Sequence, residues 1–218
     1  EKVFDAQTRP IYPGFIDAHC HFLGYGLSLQ QVNLVGTKSF DEVIERVIEF
    51  SKNNTGEWIE GRGWDQNDWQ IQEFPDKEKL DELFPNQPIF IRRIDGHAAL
   101  ANSEALKRAK ITNETQITGG IIEQIDGELT GILIDNALNL LKKVIPSPNK
   151  EQLTKALLDA QNNCFAVGLT TVDDAGLNKQ EVELIDKLHK EGKLNMKVYA
   201  MLTDNEENLN HYLKILIC

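Results

Sequence analysis

The chain has 218 residues, 26% of them charged, and is long enough for one large domain or two small ones. Its net charge of −11 and the lack of a dense basic stripe set aside binding to nucleic-acid phosphates. No stretch approaches the roughly 20 apolar residues of a membrane span, which sets aside membrane insertion as well. Cys20, Cys164 and Cys218 are widely spaced and odd in number, so neither a disulfide framework nor a cysteine zinc knuckle is indicated, and a reducing compartment, the cytoplasm, is expected. Glu1 does not open a basic, then apolar, leader; an export signal on a longer N-terminus stays open.

Glu1 to Asp5 is strand-like and leads through Pro10 and Pro13-Gly14 into Phe15-Ile16-Asp17-Ala18-His19-Cys20-His21, where an apolar run bounded by turn formers predicts a buried strand. Ser39-Phe40-Asp41-Glu42 has the form of a helix capping box, and Val43, Val47, Ile48 and Phe50 carry the helical spacing to about Lys52. Trp58-Ile59 suggests a strand, Gly63 to Pro75 a loop, and Asp76 the cap of a short helix ending before Pro85. Pro88 to Ile94 reads as a strand that breaks at Asp95-Gly96-His97, followed by a helix from about Ala98 to Ala109.

Ile121 to Gln124 and Leu129 to Ile134 flank Asp126-Gly127, a dipeptide suited to a two-residue hairpin because it tolerates positive φ. Helices are expected over Asn136 to Val144 and Lys150 to Val167, separated by Pro146 and Pro148. A strand at Leu169 to Val172, a helix from Lys179 to Lys190, a strand at Lys197 to Leu202 and a helix beyond Asp204 complete the chain. This alternation from Lys150 onward indicates parallel βα units, whereas residues 28–135 have the mixed character of an α+β insertion.

Alternate residues of a strand share a face, so His19 and His21 project together while Cys20 turns away, and two imidazoles on one face can share a metal. His-x-His by itself is more often the mark of ordinary surface or core histidines. On a buried apolar strand, however, two polar rings need a partner, and a metal supplies it.

Pro13 to His21 resembles the first barrel strand of the amidohydrolase superfamily. Gly61-Arg62-Gly63-Trp64-Asp65, Arg92 to Ala99, Gly119-Gly120 with Asp126 to Gly131, and Gly168 to Gly176 are similar, in the same order, to the amidohydrolase family 3 branch, the YtcJ-like proteins related to N-substituted formamide deformylase. The resemblance implies an α/β fold, a (β/α)8 TIM-type barrel with a large α+β insertion after strand 1. It also implies hydrolysis of amide or other C–N bonds in a small-molecule substrate by metal-activated water, with a carboxylate moving protons to the leaving amine. The cofactor it implies is a divalent metal, zinc, as one or two ions in the complete enzyme, held in part by His19 and His21; two imidazoles also suit iron, nickel or copper.

On this resemblance residues 1–13 are a remnant of an N-terminal β domain, 14–27 the first barrel strand with its metal motif, 28–135 the insertion, and 136–218 barrel units ending before strand four. The later ligands of the superfamily, an acid or carboxylated lysine on strand four, histidines on strands five and six and an aspartate on strand eight, are then without counterparts, and Lys214 falls on an expected helix. A fragment of this kind is expected to be inactive alone. The competing assignment is a non-catalytic metal- or ligand-binding module on a barrel scaffold.

His97, Asp173 and Asp174 are the candidate catalytic side chains, and Trp64, Asp65, Asp95 and His97 the candidate substrate contacts. For each a structural role competes: a hydrogen bond for His97, turn capping for Asp173 or Asp174, and loop packing for Trp64. Cys20 is expected to pack behind the metal face, and His189 and His211 to be solvated on helices.

Overall fold

Two units of contact make up the chain in the computed structural model, which describes residue 3 and residues 5–216, with side chains as far as 212. One unit joins residues 1–30 to 148–218, and the other is the continuous segment 31–147. Glu1, Lys2, Phe4 and Cys218 lie outside the described residues, and Val3 and Asp5 form no strand.

The first unit opens with strand β1 (Phe15–Cys20) and helix α1 (Phe22–Ser28). Contrary to expectation, β1 is not buried: Phe15 and Ile16 are 55% and 66% exposed. The reason is topological, since among the described residues β1 pairs on one side alone.

The second unit opens with β2 (Val32–Asn33) and α2 (Phe40–Ser51). Ser39 caps α2 as its sequence suggests, accepting the Glu42 amide at 3.2 Å. The reciprocal half of the expected box is displaced by one residue, because Glu42 accepts the amide of Lys38 at 2.8 Å while also binding Arg46. Strand β3 (Ile59–Trp64) runs further than expected, and a short 3-10 turn and α3 (Glu78–Leu83) follow, with Asp76 accepting the Glu78 amide.

Next come β4 (Ile89–Arg93), β5 (Ala98–Ala101), α4 (Ser103–Arg108), β6 (Gly120–Ile125), β7 (Glu128–Asp135) and α5 (Leu138–Lys142). The helix expected from Ala98 is thus wrong over its first turn. Ala98 to Ala101 are all fully buried between β4 and β7 in antiparallel register, and burial at the centre of a sheet overrides the helix preference of alanine and leucine. Asn102 then begins α4, accepting the Ala105 amide.

The six strands of this unit lie in the order β2-β3-β4-β5-β7-β6, parallel from β2 to β4 and antiparallel thereafter. Side-chain alternation gives the sheet two cores: Ile89 and Ile91 pack with Val43, Val47 and Leu80 of α2 and α3, whereas Phe90 packs with Leu106 and Leu138 of α4 and α5. Asp126 and Gly127 turn the β6–β7 hairpin with φ of 52° and 83°, the left-handed pair that the Asp-Gly dipeptide foretells.

The chain returns to the first unit through α6 (Lys150–Ala166), β8 (Leu169–Leu177), α7 (Lys179–Lys190), β9 (Lys197–Leu202) and α8 (Glu206–Leu216). Asn149 with Gln152 and Asn178 with Glu181 form complete capping boxes that start α6 and α7 where the sequence places them. The strands form a parallel sheet β1-β8-β9, and Phe22, Leu157, Val172, Ile185 and Met196 build the core between it and the helices. Helix α1 approaches α6 so closely that a Cβ on Gly26 would stand 2.1 Å from the Ala156 carbonyl oxygen, which explains a glycine in the middle of a helix.

Candidate metal centre

The register of β1 on β8 shapes the histidine pair. Asp17 lies beside Val172 and Cys20 beside Asp174, so three residues of β1 span two of β8. Aligned neighbours in a parallel sheet share a face, which puts Asp17 and Cys20 on the side of buried Val172 and Asp174. Simple alternation would have grouped Asp17 with His19; the extra residue of this bulge separates them.

The strand stops at Cys20, and His21 is the residue at the start of α1, with φ −122° and ψ 73°. The rings of His19 and His21 are both exposed, with centres 6.1 Å apart and planes at 76°. His21 Nδ1 lies 2.9 Å from the carbonyl oxygen of Ala175 near the end of β8. A carbonyl only accepts, so Nδ1 carries the proton and Nε2 keeps its lone pair. Among the described residues the His19 ring makes no hydrogen bond.

Asp174 is 1% exposed, and its two oxygens accept the backbone amides of Phe22 at 2.9 Å and Leu23 at 3.0 Å. These are first-turn donors of α1 without partners inside the helix. Burial pushes the Asp174 carboxyl above its ordinary value, against the two amides and His21, which favour the charged form. Asp174 is therefore a brace across the strand ends, fixing the backbone that immediately follows His21. Asp173, the other strand-end candidate, is half-buried beside Tyr199 of β9.

Cys20 packs against the helix-side core as expected, and its thiol is pushed up to about 11, first by burial and then by Asp174 and Asp17. At neutral pH it is protonated and a poor nucleophile.

Trp64, Asp65, Asp95 and His97 all belong to the second unit. Trp64 is 1% exposed, clustered with Trp69 and Phe74, and its Nε1 donates to the Ile91 carbonyl at 3.0 Å. Asp65 caps the 3-10 turn through the Asn67 amide. Asp95 is held below its usual range by the Arg93 guanidinium and accepts the His97 amide, while the His97 ring contacts Asp135. The structure thus brings His19, His21 and Asp174 together in one unit and Asp95, His97 and Asp135 in the other. His189, expected to be solvated, has its Nε2 2.8 Å from the Met196 carbonyl oxygen.

Two partners escaped the sequence reading. The Ala175 carbonyl carries no side-chain signal, and Asp135 follows an apolar strand with nothing to link it to a histidine 38 residues away.

The sequence profile of the Amidohydrolase family matches residues 2–214. The chain belongs to that family. It is 35% identical over 183 residues to the Bacillus subtilis protein YtcJ, which is named as an amidohydrolase, covering 78% of this chain and 34% of YtcJ. Arthrobacter pascens N-substituted formamide deformylase is 32% identical over 202 residues, covering 88% of this chain and 37% of that enzyme. An uncharacterized metal-dependent hydrolase from Pyrococcus horikoshii OT3 superposes with a TM-score of 0.70 at 30% identity, over 93% of this chain and 38% of that one. This chain thus spans about a third of the length of the curated relatives it matches. The fold shared with the Pyrococcus horikoshii neighbour is mixed α/β with parallel strands.

A divalent metal is the cofactor that family and neighbours suggest, and the histidine pair fits one. With zinc–nitrogen bonds of about 2.0–2.1 Å a ligating ring centre stands about 3.2 Å from the ion. At a tetrahedral angle two such centres stand about 5.2 Å apart, so from 6.1 Å a small turn of the exposed rings brings both onto one ion. Among the described residues no group of three or more His, Cys, Asp or Glu side chains converges, so the pair is not completed by a third ligand there.

Proposed function

We propose that this chain carries the first metal-binding elements of an enzyme that hydrolyses amide or related C–N bonds in small molecules. The observation that carries this is His21, an exposed imidazole whose Nδ1–H is tied to the Ala175 carbonyl beside a second exposed imidazole. A metal-bound histidine typically donates its other ring N–H to such an acceptor, which fixes the tautomer and the ring plane. When bound, zinc or a similar ion supplies Lewis acidity to the scissile carbonyl and acidifies the attacking water. The chain's own part is to hold two lone pairs in place: β1 delivers His19, Ala175 orients His21, and Asp174 anchors the turn after it.

In this reading β1, β8 and β9 are the first three strands of a (β/α)8 barrel, supported by their parallel pairing and by histidines at the carboxyl end of β1, where such barrels place catalytic groups. A catalytic zinc takes about three protein ligands and a water. Since two are found among the described residues, turnover of amides by this metal centre in the 218-residue chain alone is not expected.

The test is metal analysis of the protein purified from zinc-supplemented cells, beside the His19→Ala/His21→Ala variant. Loss of metal with an unchanged circular dichroism spectrum is the expected result. Undiminished metal in the variant would overturn the assignment, and tight stoichiometric zinc with amide turnover by the 218-residue chain would overturn the two-ligand argument.

A further inference from the structure

The second unit holds a titratable cluster that the metal reading leaves unused. Arg93, the last residue of β4, grips Asp95 through Nε at 3.0 Å and Nη2 at 2.6 Å. Asp95 Oδ1 in turn accepts the backbone amide of His97 at 3.0 Å. The backbone of His97 is thereby clamped, and its ring Nδ1 meets Asp135 Oδ1 at 2.8 Å. A backbone bond joins the same two residues, the Asp135 amide donating to the His97 carbonyl at 2.8 Å.

One feature argues for more than a structural contact. The His97 and Asp135 side chains are 70% and 52% exposed, so the bond satisfies no buried group and as a surface pair contributes little stability. What the arrangement does secure is orientation: the carboxylate accepts, so Nδ1 donates, and Nε2 is left with its lone pair open and no partner among the described residues.

We propose that His97 and Asp135 form a general-base dyad for hydrolysis of an acyl compound, with His97 as the proton acceptor and Asp135 as its positioning residue. A water oxygen attacks the acyl carbon as its proton passes to His97 Nε2. Asp135 stabilises the imidazolium through the Nδ1–H bond. The tetrahedral intermediate then expels its leaving group with the electron pair of the broken bond, and the imidazolium gives its proton to that group or to solvent. No metal is needed, so the dyad stands apart from the His19/His21 reading.

The test uses the 218-residue chain in the His19→Ala/His21→Ala background with EDTA present, and 4-nitrophenyl acetate as the probe. His97→Gln is expected to lower the protein-dependent release of 4-nitrophenolate at least tenfold, a modest share of the 10²–10⁴ that a positioned base contributes. Asp135→Asn, which tolerates the left-handed backbone but lacks the charge, is expected to lower it severalfold. A solvent deuterium isotope effect on nitrophenolate release, expected in the parent and lost in His97→Gln, gives a readout that a structural role would not move; nitrogen-15 spectra of the imidazoles are expected to show His97 in the Nδ1–H form, shifting toward Nε2–H in Asp135→Gly, which removes the carboxylate. Unchanged nitrophenolate release in His97→Gln, or an Nε2–H tautomer in the parent protein, would each overturn the proposal.

Discussion

Replacing Asp174 by alanine tests whether the backbone beyond His21 is braced from β8. The change removes two charge-assisted hydrogen bonds to amides of residues that are 2% and 4% exposed, and water has little access to replace them. Hydrogen bonds to a charged group are each worth about 1.5–3 kcal/mol, giving about 3–6 kcal/mol for the pair. Against this stands the relief of no longer burying a carboxylate, whose raised pKa records the cost of its desolvation. A net loss of about 2–4 kcal/mol remains, or about 10–20 °C in the melting temperature of a unit of this size. Hydrogen exchange locates the effect, since the Phe22 and Leu23 amides should lose their protection first. If His21 is a metal ligand, zinc affinity should fall as well, because the backbone that carries its ring loses its anchor. Stability within about 0.5 kcal/mol of the parent, a change no larger than an ordinary surface substitution produces, together with protected Phe22 and Leu23 amides, would refute the brace.

Asn102→Ala removes a buried side chain that accepts from the Ile89 and Ala105 amides and donates to the Phe84 and Gln87 carbonyls. Two buried amides and two part-buried carbonyls lose a partner, so urea titration should show a loss of about 3–5 kcal/mol confined to the second unit. Glu60, its carboxyl raised by burial and only partly lowered by Arg92, is protonated more readily in the fold than in the unfolded chain. Stability from this group is therefore fully present below its ordinary value of 4.5 and lost as pH rises through the higher folded value. Glu60→Gln should flatten that part of the stability-against-pH curve, and an unaltered slope would show that the burial is relieved in solution.

The elements most legible in the sequence are those fixed by local chemistry. Asn149 and Asn178 begin helices because their side chains take the third amide wherever the chain turns helical, and Asp126-Gly127 reverses the chain because both residues accept positive φ. Ala98 to Ala101 were illegible for the opposite reason. Nothing local separates Ala-Ala-Leu-Ala in a helix from the same residues in a sheet; pairing with β4 and β7, settled by contacts up to 36 residues away, decides it. The exposed faces of Phe15 and Ile16 were misjudged similarly, since burial of a strand depends on its neighbours and not on its own apolar residues.

The histidine pair shows both sides of this limit. Its residue types and spacing were visible, but alternation alone would have added Asp17 to the same face, and only the register against Val172 and Asp174 reveals the extra residue that takes Asp17 away. A bulge of this kind does two things at once for a metal site. It turns a carboxylate away from the two imidazoles, and it ends regular pairing at Cys20 so that His21 reaches the Ala175 carbonyl from the start of a helix and not from within a strand. The orientation of His21 therefore depends on β8 as much as on β1. A variant that deletes Ala18 and restores the even register should keep both histidines in the sequence yet lose the 2.9 Å contact to Ala175, and with it the preference of His21 for the Nδ1–H tautomer. Nitrogen-15 spectra of the imidazoles would show it directly, and an unchanged His21 tautomer in that variant would mean that the bulge has no part in aiming the ring.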